Sequence, residues 1–457
     1  PDTPSLFWSD VSLSGNSIRA WPSVLLFSLL PTNGLRALVQ VLLYGGAWSL
    51  VVLFIISRYS GAIRALVGSA VVVLSLTPLF FEWNITLLAE SLTISFLVGA
   101  TGLVLLSLIT ESSSRRFYLV MGATLLVCLA GINRLPAFIF FLPIFFLLID
   151  GFRSDATGRR KWVIGGGVAV LLLLYPLWYN ARTDDWWSRG HVWWASGFPE
   201  RVAENADGEP EGLTRSAWNF VILSSENASG GANEFSDTLF DSVLEETGPC
   251  ITRYRGRLLA STSGVAAKLL DTGVRTDVST AKNPFDQIKR VAEECPGAAA
   301  WLNENFSSYY LGFLLSHPRL TTQHLLWTFR SITLSDGVNP VDTVLPVPVQ
   351  QLVQGSQTEN SLNTPLNAWL VVALLLMVAV LVLRIPNRSR VWTLAWLTAA
   401  TALGSTAISN LMIAYDLDRI TSPSVAVLFV SLAILIAESS QLLRERLARN
   451  RVSSPAQ

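Results

Sequence analysis

Nine segments of this chain are long and apolar enough, or nearly so, to cross a bilayer: residues 34–56, 62–80, 85–110, 117–133, 135–151, 162–180, 366–383, 391–411 and 421–439. A spanning helix needs about 20 such residues, because the hydrocarbon core is about 30 Å thick and a helix rises about 1.5 Å per residue. Composition agrees: 51% of the residues are hydrophobic and only 14% charged, where globular domains are about one quarter charged. Mean hydropathy is +0.44. The sequence therefore predicts an all-α polytopic membrane protein. Between 117 and 151 only Asn133-Arg134-Leu135-Pro136 interrupts the apolar run, which predicts two helices joined at a tight polar corner.

Orientation follows from the cations in the short connections. Arg58 and Arg64, then Arg115 and Arg116, then Arg153, Arg159, Arg160 and Lys161, then Arg384, Arg388 and Arg390, and finally Arg444, Arg446, Arg449 and Arg451 all fall on one side, predicted to be the cytoplasm. The short loops of the other side hold only Arg134 and Arg419. The predicted organisation is a first extracytoplasmic loop (1–33), a six-helix module (34–183), an extracytoplasmic insert (184–365), a three-helix module (366–440) and a basic cytoplasmic tail (441–457). Nine spans leave the amino end outside, and a chain opening Pro-Asp-Thr-Pro carries no signal for exporting that end. A tenth helix ahead of Pro1 is the expectation this raises. Formal net charge is zero, so no basic field for nucleic acid is present.

The insert is polar and is predicted to be mainly helical, with helical spacing over 283–295 and 299–331. It opens on the aromatic run Trp186, Trp187, Trp193 and Trp194, a composition typical of a membrane interface. Cys250 and Cys295 both fall inside it, and an oxidising compartment would pair them as a disulfide. Cys128 lies in an apolar run and reads as a buried thiol.

Polar residues collect at the predicted outer ends of the helices. Asp2, Asp10 and Arg19 come from the opening stretch, Glu82 and Glu90 from the second outer corner and the helix after it, and Asn133 and Arg134 from the third corner. Asp184 and Asp185 follow the sixth segment, and Asp416, Asp418 and Arg419 precede the last. Ionisable groups at the apolar zone are costly and usually functional. Transfer of a sugar from a lipid phosphate to a hydroxyl needs a carboxylate to take the acceptor proton and cations to hold the departing phosphate. Arg suits the second task through its planar, bidentate fork.

Pro1-Asp2-Thr3, a Gly-containing polar stretch and Arg19-Ala20-Trp21-Pro22 ahead of a hydrophobic helix together resemble the first outer loop of the GT-C glycosyltransferases, polyprenyl-phosphate-sugar-dependent membrane enzymes. Glu82, the corner Asn133-Arg134-Leu135-Pro136, and Asp418-Arg419 followed by Pro423 are similar to later elements of that family, although Ile420 stands where Tyr is common. The large outer insert and Ser316-His317-Pro318 fit the same layout. The resemblance implies Asp2 as general base, Arg134, Arg419 and Arg19 as donor-phosphate ligands, and Asp10, Glu82 and Asp418 as secondary acidic groups on the acceptor side. Arabinosyl and mannosyl transferases of actinobacterial envelope assembly fit alike. The implied partners are a polyprenyl-phosphate sugar, an extracytoplasmic glycan or glycolipid acceptor and the bilayer of the plasma membrane. No cofactor is required, or else a divalent cation, Mg or Mn, held by Asp2 and Glu82 with Asp10. Two other readings stay open: an envelope ligase or polymerase using a lipid diphosphate, with His191, Arg189 and His317 as candidates, and a lipid-sugar transporter, which would place charge near mid-membrane.

Overall fold

The computed structural model describes residues 13, 20–77, 80, 89–155, 158–188, 234–254, 294–331, 389–412 and 417–453. Among them there are helices and no strands: α1 Trp21–Leu29, α2 Asn33–Arg58, α3 Gly61–Ser75, α4 Ala89–Ile109, α5 Ser113–Asn133, a 3-10 turn Leu135–Phe140, α6 Phe141–Ser154 and α7 Arg159–Ser188. The insert contributes α8 Glu234–Thr247, a 3-10 turn Pro249–Tyr254, α9 Pro296–Ser316 and α10 Pro318–Ser331. The chain closes with α11 Arg390–Met412 and α12 Leu417–Ser453.

Among the described residues, seven segments are long and apolar enough to cross a membrane: α2, Ser91–Ile109 of α4, α5, Leu135–Ser154, Arg159–Arg182 of α7, Arg390–Ser409 of α11 and Pro423–Leu442 of α12. They are the spans expected at 34–56, 85–110, 117–133, 135–151, 162–180, 391–411 and 421–439; the one expected at 366–383 lies outside the described residues. The segment expected at 62–80 differs. It forms the 15-residue helix α3, which caps at Leu76, two residues before Pro78. The position before a proline disfavours helical backbone, so the run ends short of the thickness it would need to cross alone.

Local signals explain where the helices begin and end. Thr32 accepts a hydrogen bond from the Leu35 amide at 3.2 Å and so caps α2, and Ser112 caps α5 by accepting from Arg115. At the far end of α5, Arg134 adopts extended backbone, and Pro136 follows at the start of the 3-10 turn. The predicted polar corner is thus a sharp one, turned by Asn133-Arg134-Leu135-Pro136.

Packing follows membrane rules. Large apolar side chains face outward along the lipid-directed sides, among them Leu42, Leu53, Leu66, Leu171 and Leu174, each at least half exposed. Between helices, small residues permit close approach. A Cβ on Gly102 of α4 would stand 2.6 Å from Leu50 Cβ of α2, and one on Gly151 of α6 would stand 2.6 Å from the Trp162 ring of α7. Cys128 is buried and unpaired in a disulfide, as its apolar setting suggests.

The Arg-rich ends of the helices carry three groups of ion pairs, centred on Glu438, Asp150 and Asp155. Glu438 of α12, only 1% exposed, accepts from Arg58 Nε of α2 at 3.0 Å, from the Tyr59 hydroxyl at 3.1 Å and from Ser389 ahead of α11. Asp150 of α6 meets Arg116 of α5 and Arg390 of α11. Asp155 meets Lys161 of α7 at 3.0 Å and also accepts from Ser113 and the Trp162 indole. Burial and the neighbouring carboxylate push the Tyr59 phenol well above its ordinary range, so it stays a neutral donor.

In the insert, α8, α9 and α10 share a small core built from Phe235, Leu239, Val243, Leu302, Phe306 and Phe313. Cys250 and Cys295, 45 positions apart, are joined as a disulfide that ties the second 3-10 turn to the start of α9. The helical run expected over 299–331 is two helices rather than one, because His317-Pro318 breaks it; α10 lies against α11. Residues 283–293 lie outside the described residues.

Truncating one partner of a buried pair leaves the other charge stranded, which costs about 3 kcal/mol. Glu438→Leu is therefore expected to lower unfolding free energy in detergent micelles by about that much, and Arg58→Leu by less, because Arg58 is 32% exposed at its side chain. The double variant should recover part of the loss. Strictly additive losses would show that the two do not act as a pair.

Candidate functional site at the corner

The corner at Asn133 and Arg134 is held from three sides. From α1, the Ser23 hydroxyl donates to Asn133 Oδ1 at 3.1 Å, and Ser23 itself is fully buried. From α7, Asn180 Nδ2 donates to the Gly131 carbonyl at 3.1 Å and to the Pro176 carbonyl at 2.8 Å. Gly131 packs so near Pro176 that a Cβ there would stand 3.3 Å from the ring. From α11, the Ser405 hydroxyl donates to the Pro136 carbonyl at 3.0 Å. Such bonds matter because backbone and side-chain polar groups at the end of a helix bundle must be satisfied largely by protein.

The opening stretch is tied to the same place. The Trp21 amide donates to the Tyr179 hydroxyl at 3.3 Å, and the Tyr175 hydroxyl donates to the Leu13 carbonyl at 2.9 Å. Trp21 follows directly on Arg19-Ala20, so the end of the first predicted loop sits on the aromatic rungs of α7 beside the corner. Pro22 at the first turn of α1 suits a helix start, where its missing N–H costs nothing.

Beside Arg134 lies a narrow crevice lined by Thr93 and Leu97 of α4, Pro136 and Ala137 of the 3-10 turn, Ser405 and Ser409 of α11, and Pro423 and Ser424 of α12. Its lining is rich in hydroxyls. Ser424 donates to Ser405 at 2.8 Å, and Ser409 donates to the Ser405 carbonyl at 2.9 Å. Thr93, Ser405, Ser409 and Ser424 are all buried, and Arg134 is half-buried. The internal space is about 10 Å³, that of a single water molecule. It is a contact point for an oxygen or two, too small for a sugar ring.

Asp418 and Arg419 occupy the first turn of α12, one turn before Pro423 in the crevice wall, and their side chains lie outside the described residues. The backbone thus brings the two predicted phosphate ligands, Arg134 and Arg419, to neighbouring segments. Glu90 lies in the first turn of α4 and Asp184 and Asp185 in the last turns of α7, again without described side chains. Asp2, Asp10, Arg19, Glu82, Asp416, Arg189 and His191 lie outside the described residues. Among the described residues no three His, Cys, Asp or Glu side chains gather as metal ligands.

His317 has a local task. Its ring stacks on Phe313 at 4.3 Å, and Nδ1 lies 3.1 Å from the Phe313 carbonyl, so it closes the end of α9. Sequence reasoning missed the hydroxyl cluster and its neighbours Ser23, Tyr179 and Asn180. One signal was present: Thr398, Thr401, Ser405 and Ser409 recur at three- and four-residue spacing on one face of α11.

These features define a multi-pass α-helical membrane protein with a half-buried polar corner at one end of the bundle. No family model, no curated protein and no solved structure matches the chain.

Ser405 joins three elements through one hydroxyl. Ser405→Ala is expected to cost about 1 kcal/mol of unfolding free energy, typical of one hydrogen bond between membrane helices. A variant as stable as the parent would show that the corner does not lean on α11.

Proposed function

We propose that the protein is an inverting glycosyltransferase that moves a sugar from a polyprenyl monophosphate to a hydroxyl of a glycan or glycolipid outside the plasma membrane. The observation that carries this reading is Arg134, held half-buried beside buried hydroxyls in a crevice whose far wall begins one turn from Arg419. Ionisable groups at the ends of spanning segments are usually functional, and the planar fork of a guanidinium suits phosphate oxygens. A lipid phosphate presented at the end of a helix bundle is an anion of the right kind and the right place.

The acceptor oxygen attacks the anomeric carbon while Asp2 takes its proton. The bond between that carbon and the phosphate oxygen breaks, and the polyprenyl phosphate departs with one more negative charge than it had as a diester. Arg134 and Arg419 stabilise that developing charge, and Arg19 is a third contact from the opening stretch. Donors aimed at developing charge contribute most when preorganised and shielded from water. Asp10, Glu82 and Asp418 orient acceptor hydroxyls. A direct displacement with one base inverts the anomeric centre, since a covalent route would need a second carboxylate as nucleophile. Two guanidiniums match the charge of the leaving phosphate, so a chelator is expected to leave the rate unchanged. A rate abolished by chelation and restored by Mg or Mn would assign Asp2 and Glu82 to a cation instead.

Asp2→Asn should abolish transfer, by roughly a thousandfold for loss of a general base, while donor binding persists. Arg134→Ala should cut turnover by roughly a hundredfold, and Arg134→Lys by less, since Lys keeps the charge and loses the fork. An Asp2→Asn variant that transfers sugar at the parent rate would sink the assignment.

A further inference from the structure

At the Arg-rich end of the bundle, the carboxylates of α6 and of the connection to α7 are already engaged. Asp150 binds Arg116 and Arg390, and Asp155 binds Lys161. Three further guanidiniums nearby, Arg153, Arg159 and Arg160, are exposed and have no carboxylate in salt-bridge reach among the described residues. The first turn of α7, where two of them sit, contains no acidic side chain. Arg159 lies over the Phe152 ring at 5.7 Å, which joins the exposed side of α6 to that of α7.

Apolar surface continues from these charges toward the middle of the bundle. Ile149 and Phe152 on α6 are 52% and 42% exposed, and Val163 and Ile164 on α7 are 59% and 56% exposed. Cations at the end of a spanning segment, with bare aliphatic surface directly beneath, match a molecule with an anionic head and hydrocarbon tails. A soluble anion would use only the guanidiniums, and a neutral lipid only the aliphatic face. Arg153, Arg159 and Arg160 thus lie together on adjoining elements, whereas Arg115 of α5 and Arg444 of α12 are exposed on other elements.

We propose that the adjoining exposed faces of α6 and α7 form a binding site for an anionic phospholipid of the leaflet at that end, its phosphate on Arg153, Arg159 and Arg160 and an acyl chain along Ile149, Val163 and Ile164. The site lies at the opposite end of the bundle from the corner and does not depend on the transferase reading. Each cation near an anionic headgroup strengthens binding roughly fivefold, so removing all three should weaken it on the order of a hundredfold.

The test is native mass spectrometry of the full chain in detergent, titrated with phosphatidylglycerol and, separately, with phosphatidylcholine. The parent protein is expected to retain phosphatidylglycerol at far lower concentration than phosphatidylcholine, and R153Q/R159Q/R160Q to lose that preference. The lysine triple variant should keep most of it, and R159Q alone should weaken it roughly fivefold, which guards against a triple variant that misfolds. R115Q/R444Q, which removes two exposed arginines elsewhere, should bind like the parent. Equal retention of the two lipids by the parent, or equal weakening by R115Q/R444Q, would overturn the proposal by showing no selectivity or only diffuse attraction. Displacement of the lipid by millimolar glycerol 3-phosphate would overturn it too, assigning the cluster to a soluble anion.

Discussion

Within hydrocarbon a polar group can be satisfied only by protein, and this single constraint organises the molecule at both ends of the bundle. At one end it is met by charge matched to charge. Glu438, Asp150 and Asp155 each gather cations and hydroxyls from two or three helices, and through them α2, α5, α6, α7, α11 and α12 are fixed in mutual register. At the other end it is met by hydroxyls and amides. Ser23, Asn180 and Ser405 reach the backbone or side chains of a corner that would otherwise present unpaired groups to an apolar surround.

The two ends differ in the kind of polar group they use. At the charged end Glu438, Asp150 and Asp155 are held in ion pairs that tie helices together, while Arg153, Arg159 and Arg160 are exposed. The corner sets Arg134 beside hydroxyls that can rotate to donate or accept. Such a lining adapts to an oxygen-rich ligand whose charge changes during reaction, which is the demand of phosphate departure. The proposed division of labour is therefore a rigid anchor at one end and a responsive polar corner at the other.

Much of the helix layout was legible in the sequence, because apolar length and cation sorting are set by the solvent rather than by fine packing. The corner at Asn133-Arg134-Leu135-Pro136 was legible for the same reason: a polar break with a proline has few other fates. The segment at 62–80 was misjudged, since counting apolar residues ignores the effect of Pro78 on the turn before it. The helical spacing over 299–331 was legible too, and Pro318 divides it into two helices. What sequence could not show is which side chains meet. Ser23 and Asn133 are 110 positions apart and Arg58 and Glu438 are 380 apart, and no periodicity announces either pair. Glu438 in particular falls inside the span expected at 421–439, where the sequence does not say which cations it meets, and its burial makes it a hub.

The proposed chemistry turns on the donor, because a monophosphate leaves as a dianion that two guanidiniums can match. The most direct measurement is incubation of the purified protein with a panel of polyprenyl monophosphate and diphosphate sugars, with mass analysis of the acceptors. Transfer from a monophosphate donor with release of polyprenyl monophosphate is the predicted result. Transfer only from diphosphate donors, or lipid-sugar movement across liposomes with no transferred product, would contradict it.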